Sequence, residues 1–127
     1  MKRRHLLAAG IGALAAPAAM PAIGRADAKY PDRTIRLVVP FPAGGATDVM
    51  GRMFADKLTH QLGQTVIVDN KSGAAGSIGA VEVKNAKPDG YTLLVATSST
   101  HAINPTAFVN PPYDAVKDFT PLASVCV

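Results

Sequence analysis

Val38-Val39-Pro40-Phe41-Pro42-Ala43-Gly44-Gly45-Ala46-Thr47-Asp48 is the stretch whose reading decides the fold. An apolar run stops at a proline, crosses two glycines and enters a segment of helical periodicity, so it reads as a strand, a loop and a helix in succession. In open α/β sheets such junctions gather at the carboxyl ends of the strands, where helix N-termini bring backbone N–H groups together and ligands settle.

Upstream, Thr34 to Val39 is β-branched and apolar between Pro31 and Pro40, a first strand. Downstream, from Thr47 to Leu62, Val49, Met50, Met53, Phe54, Leu58 and Leu62 recur at three- and four-residue spacing, which predicts a helix with one buried apolar stripe. Gly63 suits the left-handed cap that ends it. Thr65 to Val68 reads as a second strand, closed by the polar turn Asp69 to Ser72, and Ala80 to Ala86 as a modest second helix after the glycines of Gly73 to Gly79. The turn Lys87-Pro88-Asp89-Gly90 leads into a third strand, Tyr91 to Ala96. Strands that read as continuous apolar runs in a β, α, β, α, β order predict an α/β domain with a mostly parallel sheet, its strands buried on both faces.

Right-handed crossovers put every strand's carboxyl end on one edge. The segments Pro40 to Asp48, Asn70 to Gly79 and Thr97-Ser98-Ser99-Thr100-His101 are therefore neighbours, two glycine-rich and the third a run of hydroxyls ending in an imidazole. Backbone N–H groups at helix starts, joined by hydroxyl donors, suit a carboxylate or another small anion. Each piece also has a plain structural role: Gly44-Gly45 as a turn, the later glycines as close-packing points, Asp48 as a first-turn acid and Thr97 to Thr100 as a helix cap.

Charge narrows the partners. Of 13 basic residues, Lys2, Arg3, Arg4 and Arg25 lie ahead of Lys29; the remainder has nine against eight acidic ones, so there is no basic stripe for nucleic acid. Cys126 is the only cysteine, which excludes an intrachain disulfide and a thiolate metal cluster. Residues 1–28 have the layout of an export leader: basic Met1-Lys2-Arg3-Arg4, an apolar stretch from Leu6 to about Met20, and Ala26-Asp27-Ala28 as a small-x-small site cleaved after Ala28. Arg3-Arg4-His5-Leu6-Leu7 resembles a twin-arginine motif, the alternative being an ordinary leader with paired arginines. Residues 29–127 then form the mature, exported part.

Two enzyme classes compete with a binding module. A NAD-dependent enzyme needs Gly-x-Gly-x-x-Gly, and position 74 is Ala where Gly76 and Gly79 would need a partner. A serine hydrolase needs Gly-x-Ser-x-Gly, and Ala75-Gly76-Ser77-Ile78-Gly79 misses its first glycine. Ser98 or Ser99 beside His101 has no third group to orient it, and His60 reads as solvated or packed. There is no Walker sequence, metal cluster or sign of a cofactor.

Several motifs in fixed order resemble one family. They are Tyr30-Pro31, Ile35 through Asp48, Leu62-Gly63-Gln64-Thr65-Val66-Ile67-Val68-Asp69-Asn70, Gly73-Ala74-Ala75-Gly76, Pro88-Asp89-Gly90-Tyr91-Thr92-Leu93, Thr100-His101-Ala102-Ile103-Asn104-Pro105, Tyr113-Asp114 and Lys117-Asp118-Phe119. Together they are similar to the periplasmic solute receptors of tripartite tricarboxylate transporters, the Bug family. The resemblance implies a type II periplasmic-binding-protein (Venus-flytrap) fold, in which two α/β lobes close over a small carboxylate that a membrane permease then receives. Di- and tricarboxylates, amino acids and aromatic acids are the ligand classes it implies, and the receptor is expected to be a monomer without a cofactor. Carried over by position, Phe41, Ala43, Gly44, Gly45, Asp48, Ser98, Thr100 and His101 are ligand contacts; the matching loops also contain Thr47, Gly73, Ala74, Ala75, Gly76 and Ser99. Members of that family continue beyond the point matching Val127 into a second lobe. The expectation is a partial first lobe, from a fragment or a truncated gene, that binds weakly or not at all alone.

Overall fold

The computed structural model describes residues 29–125, so the leader with its cleavage position Ala28 lies outside it, as do Cys126 and Val127. A three-stranded parallel sheet, β1 (Ile35–Val39), β2 (Val66–Asn70) and β3 (Thr92–Leu94), has the order β2-β1-β3. The first strand is thus the middle one, with Ile35 opposite Val66 and Arg36 opposite both Ile67 and Thr92. Between the strands run α1 (Ala46–Leu62) and α2 (Ser77–Lys84); a π-helical turn at Ser99–Ile103 and the short α3 (Asn104–Ala107) follow β3.

The α/β class and parallel order agree with the sequence reading, but three details differ. Only β1 is buried on both faces; β2 and β3 are edges, and Ile67 is exposed. The second strand runs on through Asp69 and Asn70, predicted as a turn, because their side chains are tied back into the domain by the bonds described below. Helix α2 begins at Ser77, earlier than Ala80, as soon as Gly76 has turned the chain.

The stripe predicted for α1 is also corrected. The residues it buries are Asp48, Gly51 and Ala55, with Phe54 and Leu58 half-covered, while Val49 and Met50 are exposed and Met53 is 65% exposed. The reason is close approach: a Cβ on Gly51 would lie 2.8 Å from the Val39 side chain, so the helix presses its smallest residues onto the sheet. Ile35, Leu37, Ala55 and Val66 make the core on this side, with Phe54, Leu58, Val68, Tyr91, Leu93 and Val95 around it. Gly63 adopts the predicted left-handed conformation (φ 67°).

On the opposite face Arg36 bonds Glu82 of α2 and Asp69 of β2, with Lys71 within 3.7 Å of Asp69 and 3.6 Å of Glu82. At the amino ends of the strands, the start of the described chain is clamped to the start of β3. The Tyr30 hydroxyl donates to the Gly90 carbonyl (2.8 Å), the Tyr91 hydroxyl donates to Asp32 (2.6 Å), and the Arg33 guanidinium lies 3.8 Å from the Tyr91 ring centre while pairing with Asp89. None of the helices among the described residues is long and apolar enough to cross a membrane.

Candidate functional site

All three carboxyl-end loops meet, and Gly76 is their meeting point. A Cβ there would lie 2.6 Å from the Thr100 methyl, 3.3 Å from Pro40 and 3.5 Å from the Phe41 ring, so only glycine lets the three segments close up. Gly79 does the same one turn later, where a Cβ would sit 2.9 Å from Pro40 Cβ. Phe41 is half-buried, Thr100 is fully buried, and Ala43, Gly44, Gly45, Ala74, Ala75 and Ser98 are exposed along this edge.

The first loop is organised by Asp48. Its Oδ2 accepts from the Gly44 N–H (2.8 Å) and Arg52 Nε (3.0 Å), and its Oδ1 from Asn70 Nδ2 (2.9 Å), which also donates to the Phe41 carbonyl (3.1 Å). Arg52 in turn reaches Asn70 Oδ1 (3.2 Å). Asp48 is 3% exposed, and the Arg52 bond first, then Gly44 and Asn70, lower its pKa from 3.8 to about 2. A first-turn acid is expected from the helix dipole; here it also ties the loop to the end of β2. In α1 the first N–H to find a carbonyl is that of Val49, on Gly45, so the turn formed by Ala46, half-buried Thr47 and Asp48 presents N–H groups without helical acceptors.

The second loop has an uncommon backbone. Gly73 (φ 133°), Ala74 (46°), Ala75 (53°) and Gly76 (89°) are four successive residues at positive φ. For each alanine the left-handed region costs about 1–2 kcal/mol. Such conformations persist where the surroundings over-determine them and cluster at ligand clamps.

In the third loop Thr97 and Thr100 bond each other reciprocally: Thr97 N–H to Thr100 Oγ1 (3.0 Å) and Thr100 N–H to Thr97 Oγ1 (3.4 Å). The Thr100 hydroxyl is therefore spent within the loop, and it also lies 3.0 Å from His101 Nδ1. Burial lowers the His101 pKa below 6.5, which leaves the ring neutral at neutral pH. That ring packs 4.8 Å from Phe119 and shares a groove of about 540 Å³ with Lys84, Tyr113 and Asp118. Ser99 is half-buried. His60 is solvated, 3.7 Å from Asp56.

Sequence reasoning placed Asn70 and Ser77 at this edge without seeing them as braces, and missed Arg52, Asn104 and Tyr113 as parts of it. Asn104 donates to the Ala75 carbonyl and to Ser77 Oγ (3.0 Å each), and the Tyr113 hydroxyl donates to the Thr100 carbonyl. For Asn104 and Tyr113 the available signal was their place in the family-like motifs ending Asn104-Pro105 and beginning Tyr113-Asp114.

Among solved structures, MatC of Rhodopseudomonas palustris with bound malate is 40% identical with a TM-score of 0.70, covering 72% of this chain and 31% of that one. Rpa4515 of R. palustris with adipate is 41% identical with the same TM-score and the same coverages. Protein BugT of Bordetella pertussis is 42% identical over 98% of this chain and 38% of its own length. With its parallel sheet and its loops on one edge, the fold is that of a partial lobe of a periplasmic binding protein. A model described as the tripartite tricarboxylate transporter family receptor matches residues 50–127, and the chain belongs to that family, the Bug receptors. It spans little more than a third of the length of the relatives it matches.

Proposed function

We propose that the chain is an incomplete first ligand-binding lobe of an extracytoplasmic solute receptor, which captures a small carboxylate and passes it to the membrane subunits of a tripartite tricarboxylate-type transporter. The observation that carries this reading is the convergence of three loops on Gly76, which turns one sheet edge into a surface of backbone N–H groups and hydroxyls. A carboxylate is the complement of such a surface, since N–H bonds to an anion are about twice as strong as neutral ones. The relatives solved with malate and adipate support the same ligand class.

In this reading the N–H groups of Ala46 and Thr47, the left-handed turn at Gly73 to Gly76 and the Ser98 and Ser99 hydroxyls face the ligand, while Gly44 and Gly45, whose N–H groups bond Asp48 and the Pro42 carbonyl, hold the first loop in shape. Phe41, Ala43 and His101 shape the surface around it. Asp48 braces the first loop, because both of its oxygens are already engaged. Residues 1–28 act as a cleavable leader ending at Ala28, residues 29–127 form the incomplete lobe, and the receptor works in the periplasm as a monomer. Dicarboxylates, tricarboxylates, amino acids and aromatic acids are the classes to offer it.

The test is a titration of the isotope-labelled chain with malate, adipate, citrate, aspartate and benzoate, followed by recovery of the ligand. The expected result is movement of amide signals at Gly44, Gly45, Ala74, Ala75 and Ser98, in the millimolar range for one lobe, with the ligand recovered unchanged. Chemical conversion of any of these acids, or signals that move only elsewhere, would overturn the reading.

A further inference from the structure

Four polar side chains of the described residues, Ser77, Thr100, Asn104 and Tyr113, are each no more than 4% exposed, and all four touch the second or third loop. Burying polar groups costs stability unless they bond one another. These do. Asn104 Nδ2 donates to the Ala75 carbonyl and to Ser77 Oγ, and lies 3.4 Å from the Tyr113 hydroxyl, which donates to the Thr100 carbonyl.

We infer that Asn104 and Tyr113 are positioning residues that join the loops Gly73–Ser77 and Thr97–His101 into one unit, so that the two present their donors in a fixed mutual arrangement. The functional meaning of this strut rests on the receptor reading; the strut itself does not. Three features carry it. Both side chains are aimed at main-chain carbonyls, one in each loop, which a purely space-filling role would not require. The carbonyl that Asn104 holds belongs to Ala75, an alanine at φ 53° in a run whose conformation needs external support. Tyr113 is itself fixed, its ring standing edge-on to Phe119 at 5.7 Å and 89°, so the strut has a rigid foot outside the strands and helices that frame the edge.

The experiment compares amide spectra of the labelled chain, first without ligand, for Tyr113→Phe and Asn104→Ala. Tyr113→Phe keeps the ring and its packing and removes only the hydroxyl. Each variant is expected to move signals in both loops: Tyr113→Phe at Ala75 to Ser77 as well as at Thr100 and His101, and Asn104→Ala the reverse. Changes confined to the loop each side chain touches directly would overturn the inference, and Tyr113→Phe alone decides it should Asn104→Ala not fold.

A second arm adds malate and adipate. Tyr113→Phe is expected to weaken the response to malate about tenfold, as for one buried hydrogen bond, while a control, Tyr91→Phe at the opposite edge, lowers the thermal midpoint without changing that response. Equal responses in the two variants would remove the positioning role. If neither acid moves signals of the unsubstituted chain, the partial lobe does not bind alone, and the ligand-free spectra decide whether the loops are joined.

Discussion

The loop after β1 and the loop after β2 end at the same sheet edge, yet one is held by charge and the other by neutral hydrogen bonds. The first is gathered around the Asp48 carboxylate, whose partner Arg52 is 56% exposed on its side chain. The second hangs from Asn104, deep among Ser77, Thr100 and Tyr113. A charged brace responds to pH and is partly screened by solvent. A buried neutral one ignores both but tolerates no change of volume. Similar architecture at the edge thus hides two different sensitivities.

The largest effect is expected where the buried brace is densest. Gly76→Ala adds a methyl 2.6 Å from the Thr100 methyl on a backbone at φ 89°, so strain and overpacking together cost on the order of 3 kcal/mol. Thermal unfolding measures it, and a midpoint near that of the unsubstituted chain would mean that the three loops are not closed tightly. Asn104→Ala comes next, lowering stability by about 1–3 kcal/mol because the Ala75 carbonyl and the Ser77 hydroxyl lose a buried donor. Its decrement is expected to be equal at about pH 5 and pH 8, since an amide does not titrate; a pH-dependent one would blur the contrast between the braces.

The ionic brace is broken by acid. The folded pKa of Asp48, about 2, lies below its ordinary 3.8, so its contribution to stability is complete above 3.8 and is lost as pH falls from there through 2. Acid unfolding followed by circular dichroism is expected to show this limb in the unsubstituted chain and a shallower one in Asp48→Asn. Identical acid limbs would remove Asp48 as the organiser of the loop. The smallest effect belongs to Met53→Gln, within about 0.5 kcal/mol for so exposed a side chain; a loss of 2 kcal/mol or more, read by denaturant titration, would restore the buried stripe that periodicity predicted.

That stripe shows how far the sequence could be read. The succession of strands and helices, the parallel sheet, the α1 boundaries and the shared edge all follow from local signals: β-branched runs, spacing and glycine. Which side of α1 faces the sheet does not, because the bulky residues at Val49, Met50 and Met53 outweigh Gly51 and Ala55 in any count of hydrophobicity, while close approach to Val39 selects the small ones. The three loops of the candidate site were legible for the same reason as the strands. The braces were not, since Asp48 finds Asn70 22 residues away and Asn104 finds Ala75 29 residues away, and no periodicity records such pairs.

The clamp between Tyr30, Asp32 and Arg33 and the turn at Asp89 to Tyr91 has a consequence for when this molecule can form. It closes a span of about 60 residues, and it does so beside a strand that is first in the chain but central in the sheet. Non-local pairing of this kind slows folding, because the entropy of closing the loop is lost before the contacts reward it. The sheet therefore cannot be completed until Leu94 has been synthesised. During synthesis the first strand waits with one side unpaired until the third emerges.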